Sequence, residues 1–210
     1  MAAEFVSLEA DARQTLAYLR GFAEFQHVRL LVTGELAVWR YFLDHQVKEA
    51  GKVEFLIFLG NGFDDRVNEL PSGASDLLKQ RLLSMHPNSF QQRLGFLEVN
   101  GTPLLFIPGE IFPYVPQGTT TIAGTGTHGL PYTTAADLLV YMVMSCSMDW
   151  ARQQPRENVD AVVHFFQYLE SQGPAIFSPQ QEECLASQLD WLTSNGRWDR
   201  EWWRQRLGLP

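Results

Sequence analysis

At 210 residues, with 45% hydrophobic and 19% charged positions, the chain is long enough to bury a real core, short for two independent domains, and too apolar to be largely disordered. A formal charge of -8 and a pI near 5.1 disfavour adhesion to phosphate backbones or anionic membranes, so nucleic acid is not an expected partner. Cys146 and Cys184, the only cysteines, lack zinc spacing and predict two buried thiols rather than a disulfide framework or a structural metal.

In chain order, Ser7 is positioned to cap a first helix in which Leu8, Ala12, Leu16, Leu19 and Ala23 recur at helical spacing to about His27. Residues 28–32 read as a buried strand, broken by Thr33-Gly34, and Leu36, Trp39, Phe42 and Leu43 trace a second helix to about His45. Residues 53–59 give the strongest strand signal, stopped by the Gly60-Asn61-Gly62 turn. A loop through Asp64, Asp65 and Pro71 leads to a helix around Ser75 to His86. Residues 92–99 and 102–107 flank Asn100-Gly101, a pair suited to the positive φ angles of a type I′ hairpin turn.

After Pro108 the Gly, Thr and Pro content predicts a long ordered loop to Pro131 with one short strand. Helices are expected at Ala136–Met148, Pro155–Gln172 and Ser178–Ser194, then a Trp-rich tail to Leu207. This order predicts an α/β (α+β) protein: a small mixed sheet backed by helices, with 1–132 as the αβ core and 133–210 as a C-terminal helical part of the same compact unit. Residues 1–12 carry acids instead of a basic targeting region, and no apolar run has the length of a membrane span. A cytoplasmic protein without a membrane partner is the expectation.

The run Leu31-Val32-Thr33-Gly34-Glu35-Leu36-Ala37-Val38-Trp39, followed by a strand with alternating polar residues, resembles the nucleotidyltransferase superfamily of polymerase β type, in particular its minimal, AbiEii-like and fungal members. The similarity continues through Phe112-Pro113-Tyr114-Val115-Pro116, Gly129-Leu130-Pro131-Tyr132, Ala136-Asp137-Leu138-Leu139, Ser145-Cys146-Ser147 and Asn158-Val159-Asp160-Ala161, spanning about residues 28–170. The resemblance implies a nucleotidyltransferase-like fold with a Gly-Gly or Gly-Ser pair opening the helix after the first strand. It further implies Asp-x-Asp on a second strand and a third Asp later. Here Lys52 and Glu54 stand at the Asp-x-Asp positions, Leu105-Phe106-Ile107 where the third Asp is expected, and Glu35 at the second position of the Gly pair.

Metal-dependent phosphoryl transfer needs hard oxygen ligands around magnesium, and a lysine ammonium has no lone pair to offer. Lys52 and Glu54, two apart on a strand, share a face and can pair with each other as an internal substitute for the metal. Gly34 retains close backbone approach at a helix N-terminus, whereas Glu35 puts a carboxylate where a triphosphate would sit. The same residues also have a structural reading: an acid favours the first turn of a helix, and Lys52 with Glu54 suits a half-exposed strand end. No cofactor and no metal ligand set is expected.

Asp64, Asp65 and Glu69 read as solvated turn residues, and the histidines 27, 45, 86, 128 and 164 lack ligand spacing. His128, in a Gly-rich loop, is the histidine best placed for a site. Gly124-Thr125-Gly126-Thr127 lacks the Gly-Lys-Ser/Thr ending of a phosphate loop, and Ser145-Cys146-Ser147 lies in an apolar helix without a GxSxG elbow. The tail, Trp198, Trp202 and Trp203 among Arg197, Arg200, Arg204 and Arg206, reads as a docked amphipathic helix or as a homodimer contact.

Three functions remain open on the sequence. One is a nucleotidyltransferase-fold protein that has lost most metal-binding carboxylates. Another is a metal-independent isomerase or cyclase acting on a small-molecule ligand, with Glu54, Lys52 and His128 as catalytic proton handlers and Gly34, Glu35, Trp39, Phe55, Phe106, Phe112 and Tyr114 binding substrate. The third is a non-catalytic binding protein.

Overall fold

The structure, a computed structural model, describes residues 2–41, 51–58, 73–93, 96–126, 129–147 and 155–209. It is a mixed α+β protein with a six-stranded sheet and, among the described residues, eight α-helices. The chain divides into two compact units, residues 1–110 with 115–133, and residues 111–114 with 134–210.

The first unit holds α1 (Ala2–Arg20), β1 (Arg29–Thr33), α2 (Gly34–Tyr41), β2 (Val53–Phe58), α3 (Gly73–Met85), β3 (Phe90–Arg93), β4 (Phe96–Val99), β5 (Thr102–Pro108) and β6 (Thr120–Thr121). The sheet order is β3-β4-β5-β2-β1-β6, with β2 and β5 parallel and the other pairs antiparallel. Leu8, Ala12, Leu16 and Leu19 of α1, Leu36 and Trp39 of α2, and Leu78 and Leu82 of α3 pack in one core with Leu30, Val32, Val53, Phe55, Ile57, Leu104 and Phe106. Strand alternation sends Leu31, Thr33, Glu54, Leu56 and Phe58 to the opposite face, where they are buried as well, so β1 and β2 are covered on both sides.

The Asn100-Gly101 turn forms as expected, with φ of 51° and 85° and Val99 opposite Thr102. Asp11 of α1 grips it, accepting from Asn100 Nδ2 at 2.8 Å and Thr102 Oγ1 at 2.6 Å. Other boundaries differ from the sequence reading. The first helix begins before Ser7, which therefore caps nothing, and ends at Arg20, where Gln26 Nε2 folds back to donate to the carbonyls of Arg20 and Phe22. The expected strand over 92–99 is two antiparallel strands, β3 and β4. The expectations at Phe42, Leu43, His45, Gly60-Asn61-Gly62, Asp64, Asp65, Glu69, Pro71, Thr127, His128 and Met148 lie outside the described residues.

The second unit is helical: α4 (Ala135–Cys146), α5 (Pro155–Gln172), α6 (Pro179–Ser187), α7 (Leu189–Asn195) and α8 (Arg200–Leu207). Its starts are encoded locally, by Thr134 capping α4, a Ser178/Gln181 capping box on α6 and Asp199 capping α8. The single helix expected over Ser178–Ser194 is interrupted at Gln188, which ends α6 and precedes α7. Trp203 is fully buried, while Trp198 and Trp202 stack at 4.5 Å and the Arg206 guanidinium lies 5.2 Å from the centre of the Trp202 ring. Arg197, Arg200 and Arg206 pair with Asp160, Asp190 and Glu170 of the same unit.

Candidate functional site

The polar residues singled out from the sequence meet where β1 passes into α2. Gly34, with φ of 67°, turns the chain out of the strand and opens the helix. Its missing side chain is filled by Glu54: a Cβ on Gly34 would lie 1.8 Å from Glu54 Oε2 and 2.5 Å from Cδ. The carboxylate therefore rests at the N-terminal end of α2, the end whose dipole and free N–H groups attract anions.

Lys52, just ahead of β2, reaches the same carboxylate, with Nζ 2.7 Å from Oε1. Glu54 is 3% exposed and the Lys52 side chain 31% exposed, so the pair is buried at its acid and wet at its base. Burial works against the Lys52 ammonium, but the charge and hydrogen bond of Glu54, with Glu35 behind them, outweigh it and hold the lysine above its ordinary range. Glu35, half-buried in the first turn of α2, accepts from Gly51 N at 3.3 Å. Its carboxyl is pushed up, first by burial and also by Glu54, against the pull of Lys52.

The neighbours of Glu54 in the sheet follow from register. Thr33 is opposite it on β1 and Leu105 opposite it on β5, so both lie on its face. Leu105 thus supplies a hydrocarbon at the position next to Glu54. Thr33 supplies a hydroxyl that is fully buried and has no hydrogen-bond partner. Among the described residues no group of three or more His, Cys, Asp or Glu is placed to hold a metal ion.

The aromatic residues named with this group from the sequence lie elsewhere. Phe55 and Phe106 stack at 5.5 Å, and with Trp39 they belong to the helix-packed core on the opposite face of the sheet from Glu54. Phe112 and Tyr114 belong to the second unit. There the Phe112 ring stacks on Tyr141, and Tyr114 donates to Asp137 Oδ1 at 2.7 Å.

Asp137, which the sequence reading named only within a family landmark and gave no role, is a buried acceptor. Gln181 Nε2 donates to Oδ1 at 2.7 Å and Thr134 Oγ1 to Oδ2 at 2.9 Å, and burial together with Asp137 pushes the Tyr114 phenol above its ordinary range. The arrangement pins residues 111–114 to α4 and α6.

The other nucleophile candidates are not activated. Ser145 and Ser147 donate to carbonyls of their own helix turn, and burial pushes the Cys146 thiol up to about 12. Cys184 is pushed up to about 11 by burial and the nearby Glu183. No helix among the described residues is long and apolar enough to cross a membrane.

No family model matches the chain, and no curated protein matches it. Among solved structures the chain is similar to an antigenic nucleotidyltransferase-like protein from Paracoccidioides brasiliensis, at 13% identity and a TM-score of 0.45, over 86% of this chain and 88% of that one.

Proposed function

We propose that this chain is a nucleotidyltransferase-like protein that no longer performs metal-dependent nucleotidyl transfer and keeps the old site as an internally charge-balanced one. The sequence motifs around Gly34 support the scaffold. One observation carries the loss of chemistry: the Glu54 carboxylate, held by Lys52 at 2.7 Å, rests against Gly34 at the start of α2. A triphosphate at that helix end would meet a fixed carboxylate, with Glu35 beside it, where an active site needs N–H groups and a divalent ion. Magnesium would find Glu54 already paired with an ammonium that repels the ion, Glu35 as the other acid, and a leucine that cannot ligate, where the transfer reaction uses three carboxylates.

The test is thermal unfolding of the whole chain with magnesium and ATP, separately and together. The expected result is no added stabilisation from the combination; a rise in Tm requiring both components sinks the proposal. An isomerase or cyclase in the same place draws on Trp39, Phe55 and Phe106 as its lining, and these pack in the core behind the sheet.

A further inference from the structure

The chain carries three Asn-Gly pairs, Asn61-Gly62, Asn100-Gly101 and Asn195-Gly196, of which the first lies outside the described residues. Such a pair is chemically unstable because a glycine nitrogen, unshielded by a side chain, can attack the side-chain amide of the asparagine before it. The glycine N bonds to Asn Cγ and the Cγ–Nδ2 bond breaks. The proton lost from the glycine nitrogen leaves with the side-chain NH2 as ammonia, and a succinimide ring remains. Water then opens the ring at either carbonyl, giving aspartate or isoaspartate.

The two described pairs stand in opposite states. At the end of α7 the Gly196 N–H donates to the Leu192 carbonyl at 2.8 Å, and Asn195 Nδ2 donates to the Trp191 carbonyl at 2.8 Å. A Cβ on Gly196 would lie 2.8 Å from both Leu192 O and Val159 Cγ1, so nucleophile, amide and space are all taken. At the hairpin tip Asn100 and Gly101 are both exposed, and a Cβ on Gly101 would meet nothing within 4 Å. The Gly101 N–H has no hydrogen-bond partner among the described residues.

Only the amide is restrained there. Asn100 Nδ2 donates to Asp11 Oδ1 at 2.8 Å and to Gln14 Oε1 at 2.9 Å. These bonds fix the amide on α1, so it is not free to rotate against the Gly101 nitrogen. Donation to two acceptors, one of them charged, also strengthens the amide resonance and leaves Cγ less electrophilic.

We propose that Asn100 is a site of spontaneous conversion to aspartate and isoaspartate, restrained in the folded protein by Asp11 and Gln14 of α1. Conversion removes its own restraint. The product puts a carboxylate where the amide donated to Asp11 Oδ1, and two ionised acids can only accept. Thr102 Oγ1, 2.6 Å from Oδ2, stays as a donor to Asp11. The isoaspartyl form also lengthens the main chain by one carbon inside the turn.

The experiment is storage of the whole chain in mildly alkaline buffer, folded and in urea, followed by peptide mass spectrometry at Asn100 and Asn195 and enzymatic methyl labelling of isoaspartate. In urea both asparagines should convert at similar rates, and in the folded chain Asn100 should convert ahead of Asn195. Asp11→Ala should quicken folded conversion at Asn100 about tenfold, the value of a hydrogen bond to a charged acceptor, and Gln14→Ala about threefold, the value of a neutral one. Gln14 is half-buried on the helix surface, so its variant stays folded if Asp11→Ala does not. Asn100→Asp, which reproduces one product, should unfold at lower urea than the parent. Folded Asn100 converting as fast as in urea, Asn195 converting first in the folded chain, or a Gln14→Ala rate equal to the parent's overturns the inference. An unchanged urea midpoint in Asn100→Asp overturns the loss of the grip.

Discussion

Glu54 and Gly34 occupy each other's space: the carboxylate of one fills the volume that any side chain on the other would need. Residue 34 also has a backbone that L side chains rarely adopt, with φ of 67°. Gly34→Ala is therefore expected to cost about 2–4 kcal/mol, combining backbone strain with overpacking. In a Glu54→Ala background the overpacking part disappears and only the backbone part remains. Urea unfolding of the single and double variants measures that coupling, and additive losses would show that the two residues do not compete.

Breaking the ion pair from the lysine side leaves a buried acid without its cation. Lys52→Met should lower stability by about 3 kcal/mol, the low end for a buried pair because the ammonium is partly wet. Lys52→Met with Glu54→Gln should recover much of that loss, since the second change removes the stranded charge. A double variant as unstable as the single one would mean that Lys52 acts through packing.

Glu35 gives a pH signature whose sign is fixed by its raised carboxyl. A carboxyl held higher in the folded than in the unfolded protein makes the native state bind more protons. Its contribution therefore favours folding below the ordinary carboxylate value and is lost as pH climbs through the raised one. The stability of Glu35→Gln minus that of the parent should rise from pH 4.5 upward and then level off. Chemical unfolding across that range reads it, and a difference independent of pH would contradict the burial of Glu35.

At the C-terminus two tryptophans, Trp203 and Trp198, should separate sharply. Trp203→Ala removes a fully buried ring and should cost about 3–5 kcal/mol, whereas Trp198→Ala, at 38% exposure, should cost about 0.5–1 kcal/mol. Light scattering of Trp198→Ala alongside the parent tests the homodimer contact that the sequence offered as the alternative to a docked helix, as loss of size there would place a contact on the exposed stack.

Features set by local chemistry were legible in the sequence. Asn100-Gly101 announces its turn because few residue pairs accept two positive φ angles, and α5 is bounded by Pro155 and Gly173. The Lys52–Glu54 pair followed from the family resemblance together with strand alternation, and it forms although Lys52 stands just ahead of β2. The same alternation, applied to residues 54 and 55, separates Glu54 from Phe55, and grouping them as one lining passed over it. Thr33 was out of reach, since its place beside Glu54 depends on the register between β1 and β2, which pairs residues across the chain. Asp137 was also hidden, because a lone acid in an apolar helix gives no hint that Tyr114 and Gln181 converge on it. The break at Gln188 has neither Gly nor Pro to signal it.

The grip of Asp11 on the hairpin has a consequence for synthesis. Its partners Asn100 and Thr102 lie 89 and 91 residues downstream, and the bond from Thr133 Oγ1 to the Val32 carbonyl spans 101. At ordinary elongation rates, α1 leaves the ribosome on the order of ten seconds before the turn it holds. For much of that interval its apolar stripe, Leu8 to Leu19, has only β1 and β2 of the sheet to lie on, and the rest of its cover, from α3 to β5, arrives last.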